Sequence, residues 1–498
     1  MKIKEHVRKV IGRSIFDSRG IPTVEVDIEA SFATARASCP SGASTGSQEA
    51  LELRDGNNSK CMGKSVQKAL IGVEELATSL ISTPLEITDQ AAIDKHMVSL
   101  DGTKNKSRVG ANSILPISIC FSRLGARCMK VQDWEYIQML VNNDKMYPCG
   151  MCSSASAPAP PSDKSQNLPD GSVVVENSNA EKSVEKSAEK EVEQPAANES
   201  LPCKNVKSPE GCRNSVQKKN AGLTIPKIFF NIINGGRHSD NGLFVQEIMV
   251  SFEGNAPYTV LSCASEFIWA LKAIVKKRYK LTGVGDEGGF APPINSLEEG
   301  LDLIQEASAA SGIKPVIALD VAASEFYQNG KYNIGWKTKD KFLTQAEMIE
   351  YYIKIIKKYK VVMIEDPFDE KDYEGWAKFM EEAAKLNVQI VGDDLIVTNP
   401  ELIKKAGEKK LCNVALIKMN QIGTITETIQ AVKEARHQGM KIMASHRSGE
   451  TEDIFLSHLS VGLSADYLKA GSLCRSERVS KYNELVRIFE KSKIDTFR

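Results

Sequence analysis

The chain has 498 residues, with 64 Lys plus Arg against 64 Asp plus Glu, so its formal net charge is zero. This balance argues against a dedicated nucleic-acid-binding protein, and no apolar run approaches the ~20 residues that a membrane span needs. The cysteines are too sparse for a disulfide scaffold, and the N-terminus shows no signal-peptide pattern. We therefore expect a cytoplasmic protein with neither a membrane nor a nucleic-acid partner.

The first 147 residues have the pattern of an α+β domain. Residues 23–28 alternate apolar and polar side chains, as a half-buried strand does. A Gly/Ser-rich loop follows at 40–46, and helical patterns then dominate, for example at 64–81 and 110–130. We predict an N-terminal α+β domain that ends at residue 147.

Residues 148–222 differ from the rest of the chain in composition. They contain no Phe, Trp, Tyr or Ile and hold 8 of the 19 prolines, and Glu and Lys recur every four residues between 181 and 190. Such a segment buries too little apolar surface to offset the entropy of ordering. We predict a disordered, low-complexity insert whose four cysteines are free thiols or, with weaker support, a zinc site: Cys149, Cys152, Cys203 and Cys212.

The body, residues 223–498, alternates short apolar runs with amphipathic helices. Spacings of 45, 28, 25, 28 and 23 residues separate the functional side chains that end these runs: Asp320, Glu365, Asp393, Lys418, His446 and Lys469. Strand–helix alternation at this spacing predicts an α/β fold, a β/α barrel of about 250 residues. In such barrels the chemistry lies at the C-terminal ends of the strands.

The residue types at these strand ends indicate metal-assisted acid–base chemistry. Asp320, Glu365 and Asp393 would repel one another unless a cation held them, and ligands that are all oxygen suit Mg²⁺. Lys418 and Lys469 would share the same rim, where nearby cations could lower the pKa of one of them enough for it to act as a base. Taken singly, each acid would be a capping or salt-bridged residue and each lysine a snorkelling side chain.

Several loops add candidate binding groups. The run His446–Gly449 offers a guanidinium, a hydroxyl and backbone donors for a phosphate. The loop at 41–46 could close over a substrate as a lid, although a Gly/Ser loop alone is usually a turn. Two further candidates are the Gly-rich run 285–289, which contains Glu287, and the loop at 234–238, which is followed by Gln246 and Glu247.

At this point the sequence resembles the enolase family over nearly its whole length outside 148–222. The similarity rests on long motifs that occur in one order: SGASTG at 41–46, GDEGG at 285–289, IEDPF at 364–368, GDD at 392–394 and SHRSGETED at 445–453. The resemblance implies a Mg²⁺-dependent lyase that interconverts 2-phosphoglycerate and phosphoenolpyruvate, with two Mg²⁺ ions per active site. It also implies an enolase-type barrel behind the N-terminal domain.

The resemblance further implies a role for each matching residue. Asp320, Glu365 and Asp393 would bind the first Mg²⁺, and Ser44 the second. Lys418 would remove the C2 proton, and a protonated Glu287, with Glu247 beside it, would assist loss of the C3 hydroxide. The remaining candidates would contact the substrate, either its phosphate or carboxylate or the reacting centre: Arg447, Ser448, Lys469, His238, His446 and Gln246.

The family likeness also implies a homodimer, with Arg13, Glu25, Glu477 and Arg487 at charged interface positions. Arg237 and Asp240 depart from the small residues that the family usually has around His238, so they place the rate of turnover in question. A second hypothesis is therefore an enolase-like structural or binding protein without turnover, with the insert as its interaction segment. A third is another reaction of the wider superfamily on a non-phosphorylated acid, against which the lid and the Arg447–Ser448 pair argue.

Overall fold

A computed structural model describes residues 1–43, 46–143, 166–167, 172–177 and 223–495. In the head, an antiparallel sheet packs against helices, as predicted. α4 lies on β2 and β3, and the side chains of Val24, Val26 and Ile28 are buried on the covered face of the sheet. The elements of the head are α1 (Ile3–His6), β1 (Val7–Phe16), β2 (Pro22–Ala30), β3 (Thr34–Ser38), α2 (Gln67–Ile81), α3 (Gln90–Asp101), α4 (Ala111–Met129) and α5 (Asp133–Asn142).

The structure differs from the predicted disordered insert at one place. Two further strands, β4 (Gln166–Asn167) and β5 (Val173–Glu176), extend the head sheet, and β5 pairs antiparallel with β1. Val173 and Val175 are buried there, and the Asn177 side chain donates hydrogen bonds to the carbonyl oxygens of Lys4 and Val7. This short apolar run therefore covers an otherwise open sheet edge. The rest of the insert, including its four cysteines, lies outside the described residues. The predicted domain boundary after residue 147 also lies outside them, and the boundary after residue 222 coincides with the point where the description resumes.

The body contains a closed eight-stranded barrel, which confirms the predicted architecture. Its order around the barrel is β6-β7-β8-β12-β13-β14-β15-β16, and β7 runs antiparallel to both neighbours. β9 to β11 form a separate small sheet. The strands are β6 (Lys227–Asn234), β7 (Glu247–Ser251), β8 (Val316–Asp320), β9 (Tyr327–Gln328), β10 (Lys331–Asn333), β11 (Phe342–Leu343), β12 (Val361–Glu365), β13 (Gln389–Gly392), β14 (Val414–Ile417), β15 (Lys441–Ser445) and β16 (Tyr467–Lys469).

Helices connect and surround the barrel strands. They are α6 (Pro257–Tyr279), α7 (Leu297–Ser311), α8 (Gln345–Tyr359), α9 (Tyr373–Lys385), α10 (Pro400–Glu408), α11 (Met419–Ile422), α12 (Ile425–His437), α13 (Phe455–Gly462) and α14 (Ser476–Asp495). By length and composition α6 could cross a membrane. In the fold, however, α6 packs against α7 and α14 and buries Phe267 and Leu271, so it behaves as a covering helix of the barrel.

An apolar layer fills the lower interior of the barrel and supports the site above it. Its members are Phe229, Met249, Ala318, Met363, Val391, Val414, Leu416, Met443 and Tyr467. Since side chains alternate between the two faces of a strand, the residue two positions beyond an interior residue also points inward. The strands thereby direct their terminal polar residues into the mouth of the barrel.

Candidate active site

Strand alternation places four charged residues in one layer at the mouth of the barrel. Ala318, Met363, Leu416 and Tyr467 lie in the apolar layer, and the residues two positions later are Asp320, Glu365, Lys418 and Lys469. All four are largely buried, as are the neighbouring residues of the mouth. The structure therefore brings together the strand-end residues that the sequence analysis grouped.

The reversed direction of β7 adds Glu247 to this layer. Glu247 is the first residue of β7 and pairs in register with Asp320, the last residue of β8. A carboxylate at the N-terminal end of an antiparallel strand therefore reaches the rim where the parallel strands end. The sequence analysis included Glu247 among the site residues because it follows the loop at 234–238. Nothing in the sequence pattern indicated that β7 runs in the opposite direction to the other barrel strands.

Lys469 is the centre of one half of the mouth. Its Nζ lies 2.9 Å from oxygens of Glu247, Asp320 and Glu365, and its side chain is only 2% exposed. Burial by itself would lower the pKa of Lys469, but the surrounding carboxylates outweigh burial and raise this pKa well above its ordinary value. Lys469 is therefore a fixed cation in this arrangement.

Lys418 is the centre of the other half. Its ammonium contacts Asp393, which also accepts a hydrogen bond of 2.8 Å from the side chain of Gln421. Burial lowers the pKa of Lys418, yet attraction to Asp393 outweighs it and leaves this pKa raised. The expected lowering by neighbouring cations is thus not seen here, because Arg447 and Lys469 oppose Asp393 and do not overcome it.

Asp366 positions this second half of the mouth and was missed by the sequence analysis. Its two carboxylate oxygens accept hydrogen bonds of 2.9 Å from the backbone amides of Asp393 and Asp394. Asp366 itself has a left-handed backbone, with φ of 42°. A signal was present in the sequence, since Asp366 follows Glu365 in the IEDPF motif, but only the fold shows that it holds the GDD turn in place.

Glu247 and Glu287 are neighbouring buried carboxyl groups whose pKa values are shifted in opposite directions. Burial and repulsion from Glu287 raise the pKa of Glu247 well above its ordinary value. Burial opposes ionisation of Glu287, but His238, His446 and the hydrogen bond from Glu247 outweigh it and lower the pKa of Glu287. The two carboxyl groups therefore differ in proton affinity in this structure, and a protonated Glu287 as the acid stays a prediction.

Two asparagines and two histidines surround Glu287. Asn231 and Asn234 donate to its Oε2 at 2.8 and 3.2 Å. The Nε2 atoms of His238 and His446 lie 3.7 and 3.6 Å from its Oε1. Asn231 lies two positions beyond the interior residue Phe229, so alternation could have indicated it. Asn234, the first residue of the 234–238 loop motif, follows an irregularity in β6 between Asn231 and Ile233.

Arg478 organises the loop that carries His446, Arg447 and Ser448. Its guanidinium is fully buried and donates to the carbonyl oxygens of Arg447 and Ser448 at 2.7 and 2.6 Å. It also approaches His446 Nδ1 at 2.6 Å. Burial, reinforced by Arg478 and opposed by Glu287, holds the pKa of His446 well below its ordinary value. His446 is therefore neutral.

The lid loop is anchored to this phosphate-binding candidate. Ser41 and Gly449 exchange backbone hydrogen bonds of 2.8 and 2.9 Å, and Arg19 donates to the Ser41 and Ser448 side chains. Arg447 forms an ion pair of 2.9 Å with Glu49, just beyond the lid. The predicted metal ligand Ser44 lies outside the described residues.

The loop between β6 and β7 holds His238 and Gln246. Lys337 Nζ donates to the carbonyl oxygen of Gly236 at 2.7 Å, and Arg237 pairs with Glu325 at 2.6 Å. Gln246 is buried, and its Oε1 has no hydrogen-bond partner within the described residues. A bound molecule that donates a hydrogen bond could satisfy it.

These groups line one cavity at the mouth of the barrel. All of its lining residues were predicted from the sequence: His238, Gln246, Glu247, Glu287, Asp320, Lys418, His446, Arg447, Ser448 and Lys469. Glu365 and Asp393 lie directly behind this lining, in contact with Lys469 and Lys418.

The mouth of the barrel has the donor set for a divalent cation. Burial, with repulsion from Asp320 and Asp393, raises the pKa of Glu365 well above its ordinary value, which is the mark of excess negative charge. Asp320, Glu365 and Asp393 offer only oxygen atoms, as hard cations prefer. One of these three acids belongs to a cluster whose oxygens lie close enough to share an ion: Asp366, Asp393 and Asp394. The donor chemistry of the mouth therefore fits a hard divalent cation.

The four predicted interface residues find charged partners within the same chain. Arg13 pairs with Glu25 at 2.6 Å. Glu477 pairs with Arg475, and Arg487 with Glu484, each at 2.7 Å. The homodimer stays a prediction, since these contacts neither require nor oppose one.

Family models match two parts of the chain. The model described as "Enolase, N-terminal domain" matches residues 7–137. The model described as "Enolase, C-terminal TIM barrel domain" matches residues 222–495. Together they cover the head and the barrel and leave out the segment between them.

Proposed function

The chain belongs to the enolase family, and we propose that it is a Mg²⁺-dependent lyase that interconverts 2-phosphoglycerate with phosphoenolpyruvate and water. The observation that carries the proposal is one cavity lined together by the carboxyl groups of Glu247 and Glu287, by Lys418 and by the buried ammonium of Lys469. Removal of a proton and departure of hydroxide from adjacent carbons need this combination of groups.

Substrate binding follows from the fixed charges of the mouth. Arg447 offers a planar set of donors and Ser448 a hydroxyl, which suits a phosphate. The Arg447 guanidinium forms an ion pair with Glu49 in this structure, so a bound phosphate would compete with the Glu49 carboxylate for it. Lys469 is held as a cation at the base of the cavity and would attract the substrate carboxylate.

Proton removal from C2 is assigned to Lys418. A lysine abstracts a proton only in its neutral form, and Asp393 stabilises the charged form here. When bound at Asp320, Glu365 and Asp393, Mg²⁺ would neutralise these carboxylates and stabilise the charge that develops on the substrate, and Ser44 would help to hold a second ion. Arg447 and Lys469 already act on Lys418 in the direction that favours the neutral base.

Loss of the C3 hydroxide needs a proton, and Glu287 is assigned as the acid for this step, with Glu247 beside it. The raised pKa of Glu247 favours a protonated carboxyl group at this place. Glu287 Oε1 lies 3.7 and 3.6 Å from Nε2 of His238 and His446. Neutral His446 and buried His238 would orient the leaving water.

Several wider statements belong to the same proposal. An enolase of this kind would act in glycolysis and gluconeogenesis, in the cytoplasm and as a homodimer. Within the described residues, no observation favours the alternative of a non-catalytic binding protein, since the cavity retains its acid, base and cationic groups. The phosphate-binding pair argues in the same way against a superfamily reaction on a non-phosphorylated acid.

The decisive experiment measures phosphoenolpyruvate formation from 2-phosphoglycerate by the purified full chain. We expect turnover with Mg²⁺, none after chelation, and recovery when Mg²⁺ is restored. Lys418→Ala serves as the inactive control. A folded wild-type protein that binds Mg²⁺ and 2-phosphoglycerate without turnover would contradict the proposal and support the binding-protein alternative. A panel of non-phosphorylated acids would reveal a different superfamily reaction.

A further inference from the structure

Arg478 lies at the start of α14, and its guanidinium reaches the back of the cavity. The side chain is 0% exposed, and Gly471 packs so closely against it that an added Cβ would lie 2.7 Å from Arg478 Cδ. Besides its contacts to Arg447 and Ser448, the guanidinium donates to the carbonyl oxygen of Asp286 at 3.1 Å. Arg478 therefore joins the phosphate-binding candidate to the loop that carries Glu287.

The contact between Arg478 and His446 fixes a chemical detail of the histidine. A guanidinium has only donors and stays charged in proteins. His446 Nδ1, at 2.6 Å from Arg478 Nη1, must therefore be the acceptor with a free lone pair. In a neutral imidazole the proton then lies on the other ring nitrogen.

The other nitrogen, His446 Nε2, faces the reacting end of the cavity. It lies 3.6 Å from Glu287 Oε1, and within the described residues it has no hydrogen-bond partner. The backbone amide of His446 is fixed as well, because it donates to the Lys469 carbonyl oxygen at 2.9 Å. The Nε2–H group of His446 is thus held in one orientation and can donate a hydrogen bond to a hydroxyl or water oxygen in the cavity.

We propose that Arg478 is a positioning residue that keeps the proton of His446 on Nε2, from which the N–H can donate a hydrogen bond to the leaving group or to Glu287. This role rests on the proposed function only in the choice of leaving group, since the tautomer itself follows from geometry. His238 provides the contrast within the same cavity. Its Nδ1 is buried without a partner among the described residues, so no contact of this kind fixes the tautomer of His238.

The test reads the tautomer directly. The full chain is labelled with ¹⁵N-histidine, and two-bond ¹H–¹⁵N correlations distinguish protonated from unprotonated ring nitrogens. The chain has six histidines, and loss of one set of signals in His446→Gln assigns His446. We expect an unprotonated Nδ1 and a protonated Nε2 in the wild type. A proton on Nδ1 would overturn the proposal, whatever the turnover assay shows.

Variants of Arg478 test the cause. We expect Arg478→Met to produce a mixture of tautomers and to lower kcat by about 10–100-fold, as removal of an outer partner of a functional group typically does, with a smaller change in KM. Arg478→Lys retains a cation that only donates, and should keep more of the wild-type tautomer. Arg475→Met is the matched control, because Arg475 contacts Glu477 and Ser18 instead of His446.

The outcomes are distinguishable from those of the proposed function. A folded Arg478→Met that keeps the wild-type tautomer refutes the positioning role even if the enzyme is active. A wild type without phosphoenolpyruvate formation refutes the proposed reaction while leaving the tautomer result intact. If Arg478→Met does not fold, the wild-type and Arg478→Lys spectra still decide whether Nδ1 is unprotonated beside a cationic donor.

Discussion

The two lysine-centred halves of the barrel mouth hold the same charged group in different surroundings. Lys469 contacts three carboxylates and is 2% exposed, whereas Lys418 contacts one and is 13% exposed. A lysine held by three acids stays charged, while a lysine held by one can be released when that acid is neutralised. The difference indicates that one half binds negative charge and the other moves a proton.

The largest expected effect concerns the half that moves a proton. Lys418→Ala removes the base, so we expect turnover and C2 proton exchange into solvent to fall by about 10²–10⁴-fold. Mg²⁺ binding, followed by calorimetry, should persist, because Lys418 is not a ligand. C2 proton exchange at the wild-type rate in the folded variant would show that Lys418 is not the base.

A buried cation with three partners should matter more for the fold than one with a single partner. Lys469→Met removes a cation that contacts Glu247, Asp320 and Glu365, and loss of one member of a buried ion network typically costs about 3–5 kcal/mol. We expect a correspondingly lower free energy of unfolding in metal-free urea titrations. Lys418→Met is the matched control and should lose less. Equal losses would erase the difference between the two halves.

The side of the cavity that supplies a proton gives a pH test. The pKa of Glu287 is lowered in the fold, so its ionised form stabilises the native state above the pKa of the unfolded chain. That stabilisation is lost as the pH falls below about 4.3, the ordinary glutamate value, toward the folded pKa. We therefore expect the wild type to exceed Glu287→Gln in stability by about 1–3 kcal/mol at neutral pH.

The difference in free energy of unfolding between the wild type and Glu287→Gln should disappear in acid, and urea titrations at several pH values would measure this difference. Glu247→Gln is the companion variant. Because burial and Glu287 raise the pKa of Glu247, its protonated form is already favoured in the fold. Its neutral replacement should therefore leave the stability at neutral pH nearly unchanged or improved. A stability advantage of the wild type over Glu287→Gln that grows in acid would contradict a lowered pKa of Glu287 in the fold.

The regular parts of the site could be predicted from sequence because alternation along a strand is a local rule. Asp320, Glu365, Lys418 and Lys469 each end an apolar run, and a barrel must bring such ends together. No local pattern encodes three other features of the site, because each depends on contacts between distant segments. They are the reversed direction of β7, the hydrogen bonds from the backbone amides of Asp393 and Asp394 to Asp366, and the contact between Arg478 and His446. Similarly, the low-complexity composition around Val173–Val175 concealed a short apolar run that pairs with the edge of β1.

The smallest expected effect concerns an exposed ion pair, which tests whether burial decides the strength of these contacts. Arg237 is 57% exposed and its partner Glu325 17%, so their pair on the His238 loop should contribute at most about 1 kcal/mol. We expect Arg237→Ser to change kcat/KM less than about fivefold, with an effect that shrinks at high salt.

The charge-swapped double variant Arg237→Glu/Glu325→Arg is the control and should recover most of the loss, since it restores attraction at the same place. A loss as large as that of Lys418→Ala would mean that the loop, rather than the buried mouth, controls turnover. The halves centred on Lys469 and Lys418 would then differ less in function than their surroundings suggest, because both would depend on the exposed Arg237–Glu325 ion pair.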